Sequence, residues 1–504
     1  MVRYRGIEAL QRAKAWWLVL FVSTWSGCRA APDERAPIEV LATTEPVMLD
    51  PRYCTRSLDL KLSRLEHAGL VGLDATTLEP RPLAAEALER LDARHIRVTL
   101  KPGVRFHGGQ PLSPEDVCAT LQALTDPALR SPYRSISRAF VACRIVDARI
   151  LELELGEPRA TWMTDLEVPI LRRDQARSSP KPDAGLDGLG PFTAHVQSPG
   201  VIEYLPANTG IFVRPKHPVL VRTVRDENAR AMRLVAGRAE VAANAISATL
   251  LQSLGSRPDL AVVSRPGANV TYLLIQNDRA PFTSPRTRRA LSLAIDRDAL
   301  VKYLLAGLGQ PARWLIPPGH WAAPDDLPEL PFDPNQARAV LGGLGPVTLL
   351  TSTDRSRVLM ARAVSQMLGD AGLPTRVVPL DLGAMLARLD AGNFSLAILQ
   401  IPELTEPNIL KWFFDPAGIA GEPSSGKNRA RYRSQLAAVL LERASRESDR
   451  RLRARDYRQL ARVMLTDMPV VPLFHEDQVA VVRDRGRGFV PSADGRWLAL
   501  ANLQ

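Results

Sequence analysis

Alternating apolar and polar positions predict a strand, a turn and a helix within residues 94–124. Apolar residues occupy every second position of 96–100, which is typical of a half-buried strand. The Lys-Pro-Gly at 101–103 predicts a turn, because proline presets φ and glycine accepts a positive value. Ser113 then supplies an N-cap and Pro114 the first helical position, with apolar residues following at helical spacing. The pattern alone predicts regular structure and no chemistry.

The remainder of the chain shows the same succession of strands and helices. Apolar runs predict strands at 38–41, 144–155, 271–277, 347–350, 374–380, 394–399 and 469–473. Helical spacing predicts helices at 58–70, 332–341, 355–371, 382–389 and 457–465, and one more that follows Ser284 and Pro285. Such alternation is typical of mixed sheets with helices on their faces. We therefore predict an α/β fold.

Length and composition indicate a large globular chain. The 504 residues are 45% hydrophobic and 24% charged, and a chain of this length can form about two to four domains. The net charge is +11, with arginines spread along the chain beside aspartates and glutamates. The densest basic run, 450–455, is predicted to lie on a solvated helix face rather than in a nucleic-acid site. We therefore expect no nucleic-acid partner.

The N-terminus has the organisation of an export signal. A basic segment precedes the apolar run 15–22, which is too short to span a membrane, so residues 1–27 are predicted to be a signal peptide. The Ser-Gly-Cys that ends it resembles a bacterial lipobox, although Trp25 stands where leucine is usual. This resemblance implies lipid on Cys28, a tether at 28–37 and a location in the periplasm or cell envelope. Cleavage of an ordinary signal nearby is the alternative.

Two stretches resemble the signatures of family 5 extracellular solute-binding proteins, the dipeptide and oligopeptide receptors of ABC importers. The first stretch is 100–117, in which the matching residues are Leu100, Gly103-Val104, Phe106-His107, Gly109, Pro111-Leu112 and Asp116-Val117. The second is 277–297, with Pro281-Phe282 and the closing Ala-Ile-Asp-Arg at 294–297. Ser284 replaces the aspartate of the second signature and is an equally good N-cap residue.

The resemblance implies a two-lobed periplasmic-binding-protein-like α/β fold (type II, cluster C) with mixed sheets in three discontinuous domains. Domain I would comprise 38–51, 166–268 and 474–504, domain II 52–165, and domain III 269–473. It further implies a monomer without cofactor or catalysis. Such a receptor captures a short peptide by closure of its lobes and delivers it to an inner-membrane ABC permease.

The resemblance also implies a set of ligand-binding residues. A buried ammonium group needs a carboxylate partner, which the family supplies from an aspartate; the residue aligned with it here is Glu403, with Leu404 in place of the following aromatic. A solvated loop carboxylate is the alternative for Glu403. Four further positions are similar to cleft residues of the family: Tyr272, Phe474, His475 and Thr55.

Other functions and cysteine states stay open at this stage. The departure at Glu403 leaves room for another amine-bearing or polar solute (an opine, a metal complex or haem) or for a decayed receptor that serves as an envelope scaffold. A secreted hydrolase is a further class, for which Cys54 with a nearby histidine is the first pair to check, although no catalytic or zinc motif occurs. Cys118 and Cys143 are predicted either to pair or to remain buried thiols.

Overall fold

The computed structural model describes residues 36–183, 185–419 and 426–504. The predicted signal peptide, Cys28 and most of the predicted tether lie outside these residues. The strands are β1 (Ile38–Ala42), β2 (Val71–Leu73), β3 (Pro80–Pro82), β4 (Ala85–Arg90), β5 (His95–Leu100), β6 (Phe140–Ile145), β7 (Ile150–Leu155), β8 (Phe192–Ser198), β9 (Val201–Pro206), β10 (Val219–Thr223), β11 (Val241–Ala243), β12 (Leu260–Arg265), β13 (Val270–Ile275), β14 (Gly309–Pro311), β15 (Val347–Ser352), β16 (Thr375–Leu380), β17 (Leu396–Ile401), β18 (Val470–Glu476) and β19 (Gln478–Arg483).

The helices lie mainly between these strands. They are α1 (Ser57–Glu66), α2 (Pro114–Thr125), α3 (Arg134–Ser137), α4 (Trp162–Asp165), α5 (Glu227–Val235), α6 (Ala248–Gly255), α7 (Pro285–Leu293), α8 (Arg297–Leu304), α9 (Pro334–Leu341), α10 (Arg355–Asp370), α11 (Leu382–Asp390), α12 (Ile409–Phe414), α13 (Gln435–Arg446) and α14 (Arg450–Asp467). None of the described helices is long and apolar enough to cross a bilayer.

Three large sheets organise the chain. The seven-stranded sheet has the order β12-β19-β11-β1-β10-β9-β8, the six-stranded sheet β14-β18-β13-β17-β15-β16, and the four-stranded sheet β4-β5-β7-β6. The two larger sheets are mixed, since β1 runs parallel to β10 and β11, and β15 runs parallel to β16 and β17, whereas their other pairs are antiparallel. The predicted α/β class with mixed sheets is therefore confirmed.

The local sequence signals explain where several elements begin. β5 buries every second residue, as its alternation predicts, and α2 starts with a capping box in which the backbone N–H of Ser113 donates to Asp116 Oδ2 at 2.9 Å. At the start of α7, Ser284 Oγ accepts from the N–H of Arg286. These contacts satisfy N–H groups that a helix leaves unpaired at its first turn.

Three predicted elements differ from the structure. The helix predicted at 58–70 ends at Glu66, because the backbone becomes extended at His67. The predicted strand 144–155 is a hairpin, because Asp147 Oδ1 accepts from the N–H groups of Arg149 and Ile150 and holds a turn between β6 and β7. Helix α14 begins at Arg450, seven residues before the predicted start. Its basic run is only partly solvated, since Arg453 is buried and paired with Glu406.

Two short segments connect the seven-stranded and six-stranded sheets, one between β12 and β13 and the other between β18 and β19. The Asn269 side chain joins them, because it donates to the Glu476 carbonyl at 2.7 Å and accepts from the Glu476 N–H at 2.8 Å. A Cβ atom on Gly267 would lie 2.2 Å from that carbonyl, so the close approach requires glycine. The predicted domain boundary at 473 falls inside β18, three residues before the strand ends.

A disulfide joins Cys118 of α2 to Cys143 of β6. The bond links a helix to the edge strand of the four-stranded sheet, where α2 also packs its apolar face. Cys54 is a buried free thiol. The structure therefore resolves the alternative left by the sequence in favour of pairing.

Candidate functional site

A cavity of about 480 Å³ opens between elements of the two larger sheets; we call it the inter-sheet cavity. One wall consists of Lys61 on α1, residues 244–251, and Gln478 at the start of β19. The opposite wall consists of residues 354–360 at the start of α10 and residues 400–403 at the end of β17. Both segments that connect the sheets, at Asn269 and at Glu476–Gln478, also border it. The cavity is therefore positioned where relative movement of the two sheets would open or close it.

A hydrogen-bonded network covers the wall formed by the six-stranded sheet. Arg357 Nη1 donates to Glu476 Oε1 at 3.0 Å and to Thr271 Oγ1 at 3.2 Å, and its Nη2 donates to Gln400 Oε1 at 2.8 Å. These partners belong to β13, β17 and β18, so one guanidinium group connects α10 to three neighbouring strands. The network fixes both a positive and a negative group at the cavity surface.

Glu403 lies in a second charged network, at the end of β17. Its Oε2 is 3.5 Å from Arg64 Nη1, an ion pair without hydrogen-bond geometry. Arg64 also faces Glu167 at 4.0 Å, and Arg496 pairs with both Glu167 and Asp494. Glu403 therefore borders the cavity, but its carboxylate already has a cationic partner, and its role as a ligand contact stays a prediction.

Lys61 lies beside this network without joining it. Burial lowers the pKa of the Lys61 ammonium group, and the neighbouring Glu403 and Asp494 carboxylates act in the opposite direction. Its Nζ would be 3.3 Å from a Cβ atom on Gly495, whose φ of +77° also suits glycine. The ammonium group thus borders the cavity next to Gly495, which has no side chain to cover it.

The other four predicted ligand contacts do not border the inter-sheet cavity. Tyr272 is 3% exposed and Phe474 is fully buried, both in the core of the six-stranded sheet. His475 lines a different cavity, of about 580 Å³, on the flank of the same sheet. Thr55 is exposed in the loop before α1 and is not part of the cavity lining. Successive residues of a strand face opposite sides. Here Glu476, next to His475, borders the cavity, and buried Thr271, next to Tyr272, accepts a hydrogen bond from Arg357.

Sequence reasoning missed most of the charged lining. Lys61, Arg357, Glu476 and Asp477 were not selected, because each is one polar residue among many along its segment. The only usable signal was the polar run Glu476-Asp477-Gln478, which follows a buried strand directly and marks where the chain leaves the sheet. The other charged residues of the lining are brought together only by contacts between distant segments of the chain.

The environment of Cys54 opposes the hydrolase alternative. Its thiol donates to the carbonyls of Met48 and Asp50, and burial, the largest effect, raises the pKa of Cys54 to about 12. A thiol with this pKa provides almost no thiolate at neutral pH and is a poor nucleophile. Among the described residues, no group of three or more His, Cys, Asp or Glu side chains is placed to hold a metal ion.

Two mixed sheets joined by two segments, with a charged cavity between them, form the architecture of a periplasmic-binding-protein-like receptor. The sequence model of the bacterial extracellular solute-binding proteins, family 5 middle region, matches residues 79–419. The chain belongs to this family, whose members serve ABC importers.

Individual relatives agree with this assignment. The glutathione-binding protein GsiB of Salmonella typhi is 24% identical over 458 residues, covering 88% of this chain and 89% of that protein. The heme-binding protein A of Haemophilus influenzae is 24% identical over 472 residues, covering 84% of each chain. The solved structure of the periplasmic binding protein DppA of Helicobacter pylori, in complex with the peptide STSA, superposes with a TM-score of 0.77 at 20% identity, covering 92% of this chain and 98% of that one. The last comparison shows a common fold.

Proposed function

We propose that the chain captures short peptides in the inter-sheet cavity and delivers them to an ABC permease of the inner membrane. The observation that carries the proposal is that the cavity presents carboxylates together with Lys61 and Arg357, and amide side chains besides. A peptide brings both an ammonium and a carboxylate terminus, and its backbone needs such polar partners when it leaves water. The similarity to the glutathione-binding protein GsiB, and to DppA, whose structure was solved with a bound peptide, supports this class of solute.

The lining gives less support to haem or a metal complex. The described residues that border the cavity include no histidine, cysteine or aromatic side chain. Haem and transition metals are commonly held by such groups. A different zwitterionic solute, such as an opine, fits the same charges and is the second candidate. A decayed scaffold fits less well, since the cavity retains an ordered network around Arg357.

Thermal unfolding of the mature chain tests the proposal. A solute that binds only the folded state raises the Tm once its concentration exceeds Kd. We expect di- to pentapeptides to raise the Tm. Glu403→Gln tests the predicted contact at Glu403 separately: a smaller shift would support this contact, and an unchanged shift would remove Glu403 from the site. Glu89→Gln, an exposed carboxylate on β4, is the matched control. A Tm shift with opines alone would replace the peptide by the second candidate, and no shift with any solute would favour the scaffold.

The organisation of the exported protein is part of the proposal. The three-domain division, the monomeric state, the signal peptide and the lipid on Cys28 rest on the family resemblance and the N-terminal sequence. Labelling of cells with a fatty-acid analogue tests the anchor, since Cys28→Ala should lose the label. Gel filtration of the lipid-free chain tests the monomer, and a second species of twice the mass would contradict it.

A further inference from the structure

Five carboxylates border the inter-sheet cavity, and four of them have partners within the protein. Asp354 accepts from the N–H of Arg357 at the start of α10, and Glu476 pairs with the Arg357 side chain. Glu403 pairs with Arg64, and Asp494 pairs with Arg496 and accepts from Ser492. The fifth, Asp477, makes only a backbone contact, from its N–H to the Leu308 carbonyl. Among the described residues, its carboxylate has no donor or cation.

The surroundings of Asp477 confirm that its charge is isolated. It is half-buried at the segment between β18 and β19. Burial alone raises the pKa of Asp477, with no neighbouring cation to lower it. An anion that has lost part of its hydration and has no partner is unfavourable. An ammonium group brought by a solute would remove that penalty.

Among the cations that line the cavity, Lys61 corresponds to Asp477, because it too has no partner among the described residues. Arg357 pairs with Glu476, whereas Lys61 makes no ion pair or hydrogen bond with any residue that the structure describes. Glu403 and Asp494 act on its pKa only at longer range. Lys61 and Asp477 lie on different parts of the lining, Lys61 on α1 and Asp477 on the segment between β18 and β19.

We infer that Asp477 and Lys61 bind the two opposite charges of a zwitterionic solute, the first its ammonium and the second its carboxylate. The inference rests on the proposed function of the cavity and names the chemical class of its solute. Because Arg64 already neutralises Glu403, the ammonium binds at Asp477 and not at the position aligned with the family aspartate. Leu304, Leu305 and Met360 also line the cavity and would cover the apolar part of the solute.

The test compares one set of peptides in three forms: free, N-acetylated and C-amidated. Titrations by thermal unfolding and calorimetry use the mature chain and the variants Asp477→Asn, Lys61→Met and Glu403→Gln. Asp183→Asn and Lys302→Met, both exposed positions, are matched controls, and the unfolding transition without peptide shows that each variant folds. Two probes without a peptide bond, 5-aminopentanoate and 6-aminohexanoate, are titrated in parallel.

We expect blocking either end to weaken binding to the unaltered chain by about tenfold or more, as for loss of one partner of a buried charge pair. Asp477→Asn should abolish the preference for free over N-acetylated peptides, and Lys61→Met the preference for free over amidated ones. Equal binding of blocked and free peptides would overturn the inference and leave the peptide function standing. The inference would also be overturned if Glu403→Gln, and not Asp477→Asn, abolished the preference for free over N-acetylated peptides.

The two probes separate the inference from the proposed function. Binding of the aminoalkanoates but of no peptide, with the same dependence on Asp477 and Lys61, would refute the peptide function and support the inference. If neither peptides nor aminoalkanoates bind, both are refuted.

Discussion

The two cavities on either side of β18 differ more in their charges than in their size. The inter-sheet cavity, about 480 Å³, has unpaired groups at Asp477 and Lys61. The cavity that His475 lines, about 580 Å³ and here called the flank cavity, is larger. Yet its buried cation, Arg297, is fully occupied by the protein, since it donates to the carbonyls of Pro472 and Ser292 and to the Ser292 hydroxyl. The flank cavity is also lined by Asp298 and Asp325, but both are exposed to water. A partly buried charge without a partner, and not volume, therefore distinguishes the inter-sheet cavity from the flank cavity.

The flank cavity should therefore affect folding and not binding, and Arg297→Met should show the largest effect. Burial lowers the pKa of Arg297 to about 10, and removal of its side chain leaves buried carbonyl groups without donors. We expect a loss of about 3–5 kcal/mol in the free energy of unfolding, the usual result of breaking such a group. Urea unfolding measures it, with exposed Arg289→Met as control.

The Arg297→Met variant also tests whether the flank cavity takes part in solute binding. If Arg297→Met remains folded, peptide binding should keep its original Kd. Weaker binding by the folded variant would show that the flank cavity contributes to the solute site.

Acid should destabilise the protein through the flank cavity. Burial, the largest effect, lowers the pKa of His475 to about 4 from the usual value near 6.5, and its Nδ1–H donates to the Asn269 carbonyl at 2.6 Å. Because the unfolded chain binds the proton more strongly, stability is retained above pH 6.5 and lost as the pH falls towards 4. The expected contribution at pH 4 is about 3 kcal/mol relative to pH 7.

His475→Asn measures that contribution, because the asparagine amide can still donate to the Asn269 carbonyl. We expect the variant to lose less stability than the unaltered chain between pH 7 and pH 4. Exposed His195→Asn is the control. Parallel pH profiles of the variant and the unaltered chain would show that His475 does not carry this acid sensitivity.

The sequence predicts most elements but not which residues face the site, and β13 and β18 show why. The segments Val270–Ile275 and Val470–His475 are buried at every position. A strand covered on both faces has no alternation of apolar and polar residues, so its register cannot be inferred. The predicted contacts Tyr272 and His475 are therefore the strand neighbours of Thr271, which accepts from Arg357, and of Glu476, which borders the cavity.

The charged lining depends on contacts that no local pattern encodes. Lys61 lies on α1 and Asp477 more than 400 residues later along the chain, and only the packing of the two sheets brings both to one cavity. By contrast, the cap at Ser284 uses neighbouring residues and could be predicted. Local hydrogen bonds are readable from sequence, whereas the pairing state of a charge is not.

In the inter-sheet cavity, Arg357→Met should affect binding more than stability. The substitution removes three hydrogen bonds and leaves Glu476 without its cation, at a position that is only partly buried. We expect about tenfold weaker peptide binding, with a loss of about 1–2 kcal/mol in stability. Calorimetric titration measures the first and urea unfolding the second, with exposed Arg362→Met on α10 as control. Unchanged binding would separate the Arg357 network from solute recognition.

The smallest effect on the free energy of unfolding is expected for Asp477→Asn in the absence of solute. The sign of this effect tests directly whether the Asp477 carboxylate lacks a partner. Because burial raises the pKa of Asp477, the folded protein holds this proton more strongly than the unfolded chain does. Ionisation therefore destabilises the fold, and stability from this group is lost as the pH rises through its folded pKa. After allowance for solvent screening of a half-exposed carboxylate, the variant should gain at most about 1 kcal/mol at pH 7. Asp183→Asn should show no gain. A loss of stability in Asp477→Asn would mean that the carboxylate has a partner within the protein, and the contrast with the fully paired Arg297 of the flank cavity would then disappear.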